Sequence, residues 1–132
     1  MIFLCFFLLT LTPAELDKER HRVMKEKGTE RAFSGKYLYE TGPGTYVCAD
    51  CKTPLFASAD KYDSGAGWPS FLKPIAPESI YYLDDANLSF KRYEVLCRGC
   101  HSHLGHVFND GPPPKGLRYC INSITLILDK QL

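Results

Sequence analysis

The sequence carries little net charge. Sixteen lysines and arginines against fifteen acidic residues leave +1 at neutral pH. That excludes a polybasic nucleic-acid binder and an acidic disordered tail. No apolar run is long enough to cross a bilayer as a helix, so we expect no stable membrane insertion. There is no internal repeat and no long low-complexity stretch, which excludes solenoid architectures. With 132 residues the chain has room for one domain. Its composition, 45% hydrophobic and 23% charged, is that of an ordinary globular protein. Aromatic residues reach 13%, and nine prolines and ten glycines imply many turns. What stands out is cysteine, with six in so short a chain.

Their spacing decides their use. Four form two C-x-x-C pairs, Cys48–Cys51 and Cys97–Cys100, while Cys120 and Cys5 stand alone. Two intervening residues let a tight turn aim both thiolates at one point. Two such turns make a closed tetrahedral zinc site. The pairs lie far apart in sequence, so the metal would clamp distant strands, with Lys52 and Arg98 offsetting thiolate charge. The alternatives are two disulfides or a thioredoxin-type redox pair. The latter expects a helix start within a βαβ pattern, which the sequence does not show.

Residues 1–11 form an apolar segment that resembles a signal-peptide core but lacks a positive start and a clear cleavage site. Residues 12–132 are expected to be the folded domain, in the cytoplasm, with secretory or organellar targeting by residues 1–11 the alternative. Thr12-Pro13-Ala14-Glu15 is a helix-start signature. A helix from there would turn Leu16, Val23 and Met24 to the core and stop at Gly28. From Phe33 the texture is β. Strands are expected near Tyr37–Tyr39, Tyr46–Val47, Leu55–Phe56, Tyr81–Leu83, Leu88–Phe90, Glu94–Leu96, Leu104–Phe108, Leu117–Cys120 and Ile124–Leu128. Asp84-Asp85-Ala86-Asn87 reads as a turn. The sequence thus implies a mainly β domain with an N-terminal helix.

Cys120 is not needed by the zinc site. On a strand, Arg118, Cys120 and Asn122 share one face, with Tyr119 and Ile121 opposite. A guanidinium beside a thiol favours the reactive thiolate. Upstream, His103 and His106 are suited to move protons. Their odd separation puts them on opposite faces of a regular strand, and a bulge at Gly105 would bring them together. His101 reads as a solvent-exposed knuckle residue. Trp68, the sole tryptophan, sits among glycines and a proline. It reads equally as a wall for a small apolar group or as a core residue.

Cys48-x-x-Cys51, Gly67-Trp68-Pro69-Ser70-Phe71, Cys97-x-x-Cys100, His103-Leu104-Gly105-His106-Val107-Phe108-Asn109-Asp110-Gly111-Pro112 and Arg118-Tyr119-Cys120-Ile121-Asn122-Ser123 together resemble the B-type peptide-methionine (R)-S-oxide reductases. The resemblance runs in order over nearly the whole chain. It implies two small antiparallel sheets, a β-tent, with a structural zinc ion on Cys48, Cys51, Cys97 and Cys100. It implies Cys120 as nucleophile and His103 and His106 as the groups that bind and protonate the sulfoxide oxygen. Asp110 and Arg118 would support them, Asn122 would position the site, and Trp68 with Phe108 would hold the substrate methyl. The product would be methionine and a sulfenic acid on Cys120, formed by a monomer.

One position departs from that pattern. Many members carry a resolving cysteine two residues before the tryptophan, and here it is Ala66. The expectation is direct attack by thioredoxin or another thiol donor, with Cys5 as a remote resolving residue the alternative. Two other classes compete. A non-catalytic zinc β domain that binds a protein would not require the His103, His106, Arg118, Cys120 set. A zinc thiol enzyme acting on a glutathione adduct would leave an open metal position.

Overall fold

In the computed structural model, residues 11–85 and 92–132 are described. The element order begins with α1 (Pro13–Lys25), capped as its sequence dictates. Thr12 Oγ1 accepts from the Glu15 amide at 3.2 Å, and Glu15 Oε1 accepts from the Thr12 amide at 2.9 Å. That reciprocal box satisfies donors which a helix start otherwise leaves free. Val23 and Met24 are buried, as expected. Leu16 is not: it is 38% exposed and lines an open groove between α1 and the C-terminal strand. The helix also stops before Gly28. Its cap is Glu26, and Lys27 is the residue that takes the left-handed turn, at φ 57°.

Two antiparallel sheets follow. The smaller has the order β2 (Pro54–Ala57), β1 (Thr45–Cys48), β9 (Leu126–Asp129). The larger begins with β3 (Lys61–Tyr62), β4 (Ser70–Phe71) and β8 (Arg118–Ile121). It continues through β7 (His103–Phe108), β6 (Tyr93–Cys97) and β5 (Ile80–Asp84). The expected mainly β fold with two antiparallel sheets and an N-terminal helix is what forms. Tyr37–Tyr39, expected as a strand, is instead a turn. Its amide hydrogen bonds run three residues back, from Leu38 to Gly35 and from Glu40 to Tyr37, so no strand partner is needed. Ile124 belongs to a 3₁₀ turn, Ser123–Thr125, that precedes β9. The two-residue strands β3 and β4 carry too short a pattern to read from sequence. The expected strand Leu88–Phe90, and Ala86 and Asn87 of the expected turn, lie outside the described residues.

Aromatic packing joins the sheets. Phe56 of β2 stacks on Phe71 of β4 with centroids 4.4 Å apart, and Tyr46 of β1 meets Phe71 edge-on at 5.3 Å. All three rings are fully buried. Tyr119 and Ile121 point into this core from β8, so Arg118 and Cys120 face the other way, as the alternation requires.

The register of β6 and β7 explains the histidines. Leu96 pairs with His103, but Val95 pairs with Gly105, so Leu104 is an extra residue in β7. The bulge is therefore at Leu104 rather than Gly105. Gly105 serves a different need. A Cβ there would lie 2.1 Å from the Cys120 carbonyl oxygen and 2.9 Å from Ile121 Cα. The backbones of β7 and β8 touch where the thiol is carried. Gly105→Ala must push these strands apart. We expect it to cost about 2–3 kcal/mol or more, read as a lower urea midpoint, and to reduce Cys120-dependent chemistry alongside.

Candidate active site and metal centre

Two knuckles of the same construction face each other. In each, the residue after the second cysteine is left-handed, Lys52 at φ 68° and His101 at φ 65°. Its amide donates to the carbonyl of the first cysteine, Lys52 to Cys48 at 2.9 Å and His101 to Cys97 at 2.8 Å. The next residue's hydroxyl touches the second sulfur: Thr53 lies 3.1 Å from Cys51 Sγ, and Ser102 lies 3.1 Å from Cys100 Sγ. Gly99 is required here, because a Cβ would meet Thr53 Oγ1 at 2.3 Å and Cys51 Sγ at 2.9 Å.

The four sulfurs all lie within 4.8 Å of one another. Cys48–Cys100 is 3.7 Å and Cys51–Cys97 is 3.5 Å. A tetrahedron with metal–sulfur bonds of about 2.3 Å has edges of about 3.8 Å, so the cluster has the size of a metal cage. Without a cation these thiols cannot all ionise: hydrogen bonding to its neighbour pushes Cys48 far up while it holds Cys97 down, to about 4. A bound cation removes that conflict. The nearest organised cation is Lys25 of α1, not Lys52 or Arg98. Its Nζ contacts Ser102 Oγ at 2.7 Å and Asp50 at 2.6 Å. Lys52 donates to the Ala49 carbonyl, and Arg98 lies over the Tyr81 ring. His101 is exposed, as expected, and its Nδ1 pairs with the Tyr81 hydroxyl.

Among the described residues Cys120 is the only cysteine outside this cluster. Strand register surrounds it. His106 lies directly opposite Cys120 on β7, Phe108 lies opposite Arg118, and Ser70 lies opposite Cys120 on β4. The Arg118 guanidinium sits 4.4 Å above the Phe108 ring and forms a two-point bond to Asp110, at 2.9 and 3.2 Å. The bulge sets the His103 ring edge-on to His106 at 5.4 Å. Trp68 precedes Ser70 by two residues and its indole donates to the Glu30 carbonyl at 3.0 Å. Asn122 is buried, bonding Leu104 through Nδ2 at 3.0 Å and the Glu30 amide through Oδ1 at 2.9 Å. It ties the end of β8 to the bulge. The structure thus gathers His103, His106, Phe108, Asp110, Arg118 and Cys120 around adjacent strands, with Asn122 at the end of β8.

Residues 16–130 match the SelR domain. The peptide methionine sulfoxide reductase MsrB of Saccharophagus degradans is 53% identical over 117 residues, covering 89% of this chain and 87% of that protein. The protein of the same name from Azotobacter vinelandii is 55% identical over 113 residues, 86% of this chain and 85% of its own. That of Leptospira interrogans is 50% identical over 117 residues, 89% of each. The chain belongs to the B-type methionine sulfoxide reductases. It is an oxidoreductase.

Two carboxylates of this reductase were not visible in the sequence. Glu94 Oε2 lies 2.7 Å from His103 Nδ1, and Asp85 Oδ2 lies 2.7 Å from His106 Nε2. Lys27 approaches both carboxylates, at 3.6 and 3.4 Å. Glu94 is 5% exposed although it lies on a strand flanked by apolar residues. Its bond to His103 and the nearby Lys27 ammonium offset the cost of that burial. Burial lowers the pKa of both histidines, partly opposed by these carboxylates. Each is therefore neutral at pH 7, with its proton on the nitrogen that faces the carboxylate. His103 Nε2 is left as a buried acceptor with no partner among the described residues.

Burial also pushes the Cys120 thiol up to about 11, while Arg118 pulls it down. An unfolded thiol ionises near 9. Between those values the unfolded chain has lost a proton that the native chain keeps. Stability contributed by this group is full below pH 9 and is lost as pH rises to about 11. The slope of unfolding free energy against pH in that window should be negative and should shrink in Cys120→Ser. A slope unchanged in that variant would mean that the thiol is not held protonated.

The cage makes a separate prediction. The purified protein should hold one metal ion per chain, and Cys97→Ser should lose it. Binding of a structural ion of this type is worth on the order of 10 kcal/mol, comparable to a domain's whole net stability. Chelation should therefore unfold the chain, visible as loss of near-ultraviolet dichroism.

Proposed function

We propose that this chain reduces the R epimer of methionine sulfoxide, free or in polypeptides, through the Cys120 thiol, and that its metal is zinc. The observation that carries the reading is the cross-strand pair His106–Cys120, backed by Arg118 and set apart from a cysteine cage that leaves Cys120 free. Four thiolates around one tetrahedral ion form a closed site. Zinc would neutralise thiolate charge and pin the knuckles without taking part in the reaction. A closed site also disfavours the glutathione-adduct reading, and a protein-binding scaffold has no use for two carboxylate-backed histidines.

In the proposed reaction, Cys120 Sγ reacts with the substrate sulfoxide and the oxygen passes to it. Thiol plus sulfoxide gives sulfenic acid plus thioether, so atoms and charge balance. The thiol proton must end on the transferred oxygen. Neutral His106 beside Cys120 is placed to accept it. His103 Nε2 is an acceptor, so a water donating to it can offer its second hydrogen to the sulfoxide oxygen. Arg118, held by Asp110, stabilises negative charge as it develops on sulfur. Trp68 and Phe108 would enclose the methyl group, and Asn122 would fix the strand end.

A thiol donor of the thioredoxin type then attacks the sulfenic acid, forming a mixed disulfide and releasing water. A second thiol of the donor restores Cys120. A cleft of about 380 Å³ lined by Tyr62, Ala66, Asp110 and Arg118 lies where a resolving cysteine stands in many relatives of this family, and it offers the donor a route. Cys5 lies outside the described residues. One chain supplies every residue invoked, so the monomer is taken as the working unit. Thiol chemistry of this kind suits a reducing compartment such as the cytoplasm. No helix among the described residues is long and apolar enough to cross a membrane.

With dithiothreitol or thioredoxin, the R epimer should be consumed and the S epimer left. Cys120→Ser should lower the rate by about 10³-fold or more and His106→Ala by about 10²-fold, both with metal content unchanged. Retained activity in Cys120→Ser, or lost metal, would contradict the division of the cysteines. A Cys5–Cys120 disulfide in most oxidised molecules, with turnover lost in Cys5→Ser, would replace direct donor attack.

A further inference from the structure

Glu30 is the one buried carboxylate that the reaction does not use. It is 5% exposed and lies in the segment that leads from α1 to the sheets. Its Oε2 accepts from the Ser123 amide at 2.6 Å and its Oε1 from the Ile124 amide at 3.1 Å. Those amides belong to the residues that follow the Cys120 strand. Its own amide donates to Asn122 Oδ1 at 2.9 Å, and its carbonyl accepts the Trp68 indole N–H at 3.0 Å. Three residues on, the Phe33 amide donates to the Gly67 carbonyl at 2.8 Å. The segment 30–33 thus grips the tryptophan loop at two points while Glu30 grips the exit of β8.

The space around the carboxylate is fully used. A Cβ on Gly35 would lie 2.9 Å from Glu30 Oε2 and 2.4 Å from Ser123 Cβ. A buried carboxylate that accepts two backbone amides forms charge-assisted bonds, which are stronger than neutral ones. We propose that Glu30 is a positioning residue that locks Trp68, the wall of the substrate pocket, to the strand that carries Cys120. This rests on the reading of Trp68 as the methyl-binding wall and deepens it. Among the described residues the Glu30 backbone carbonyl is the hydrogen-bond partner of the indole, and the carboxylate of the same residue fixes where that carbonyl lies.

The lock has a protonation state that can be watched. Burial pushes the Glu30 carboxyl up to about 7, against the pull of the Ser123 and Ile124 amides, with Glu19 of α1 adding to the rise. The titratable groups that act on it are that Glu19, itself paired with Arg22, and the neutral Cys120 thiol on β8. Arg20 and Arg31 line the groove beyond. Protonation removes charge from both amide bonds and should loosen the tryptophan with them.

The test uses the full chain with its metal. In a ¹⁵N-labelled sample, the Ser123 and Ile124 amides and the Trp68 indole N–H, the only indole in the protein, should shift with one shared midpoint near pH 7. Glu30→Gln should abolish that shared shift. It should raise KM for methionine sulfoxide about tenfold with kcat changed less than about twofold, because weaker carboxylate bonds let the Glu30 carbonyl under Trp68 shift while strand pairing still holds the thiol. Glu30→Asp, which keeps the charge but is shorter, should recover part of the KM loss. An indole resonance that stays fixed while the two amides titrate would overturn the proposal, as would an unchanged KM in folded Glu30→Gln. If Glu30→Gln does not fold, the wild-type titration alone decides. A wild-type protein without sulfoxide reduction would defeat the functional reading, whereas the resonances report the linkage independently of activity.

Discussion

Four sulfurs within 4.8 Å of each other are the constraint on which the rest depends. Cys48 ends β1 in the small sheet and Cys97 ends β6 in the large one. Holding those ends at one point fixes the two sheets relative to each other. Lys25 adds α1 to the same junction through Ser102 and Asp50. Aromatic stacking between Phe56 and Phe71 fills the space behind it. The consequence reaches the active face through strand pairing. β6 carries Glu94 three residues before Cys97, Glu94 holds His103, and β7 passes its register to β8 and Cys120. The cysteine cage takes no part in the proposed chemistry, yet the chemical groups hang from it.

The active face works against its own burial. The thiol and the two histidines are drawn into low-dielectric surroundings, which favour neutral forms. The result is a protonated thiol beside neutral histidines. That suits a reaction in which a proton must travel with the oxygen and no net charge is created. Arg118 stays charged, pinned by Asp110, and in the proposed reaction it offsets negative charge that develops on sulfur.

The sequence displayed the chemistry better than the scaffold. The two C-x-x-C pairs, the capping box and the alternation Arg118–Cys120 are local patterns with local physics, and each is found where the pattern places it. The histidine pair needed a bulge, and the sequence indicated one but put it a residue late. Gly105 is glycine because another backbone touches it, not because its own angles demand it. Asp85, Glu94 and Glu30 were invisible for a related reason. Each owes its role to a partner far away in sequence, and no periodicity reports that. Tyr37–Tyr39 misled because aromatic residues at strand-like density can satisfy their amides in consecutive turns. Leu16 has core-facing spacing but lies over an open groove.

Whether four cysteines hold a metal while Cys120 alone exchanges oxygen with substrate is decided by a single-turnover experiment without reductant. The reduced, metal-loaded protein is mixed with excess methionine-R-sulfoxide and a sulfenic-acid trap, and methionine, trapped cysteine and bound metal are measured together. One methionine per chain, the trap on Cys120 only, and no metal released are expected. More than one methionine per chain, an adduct on a knuckle cysteine, or metal loss in step with turnover would contradict it.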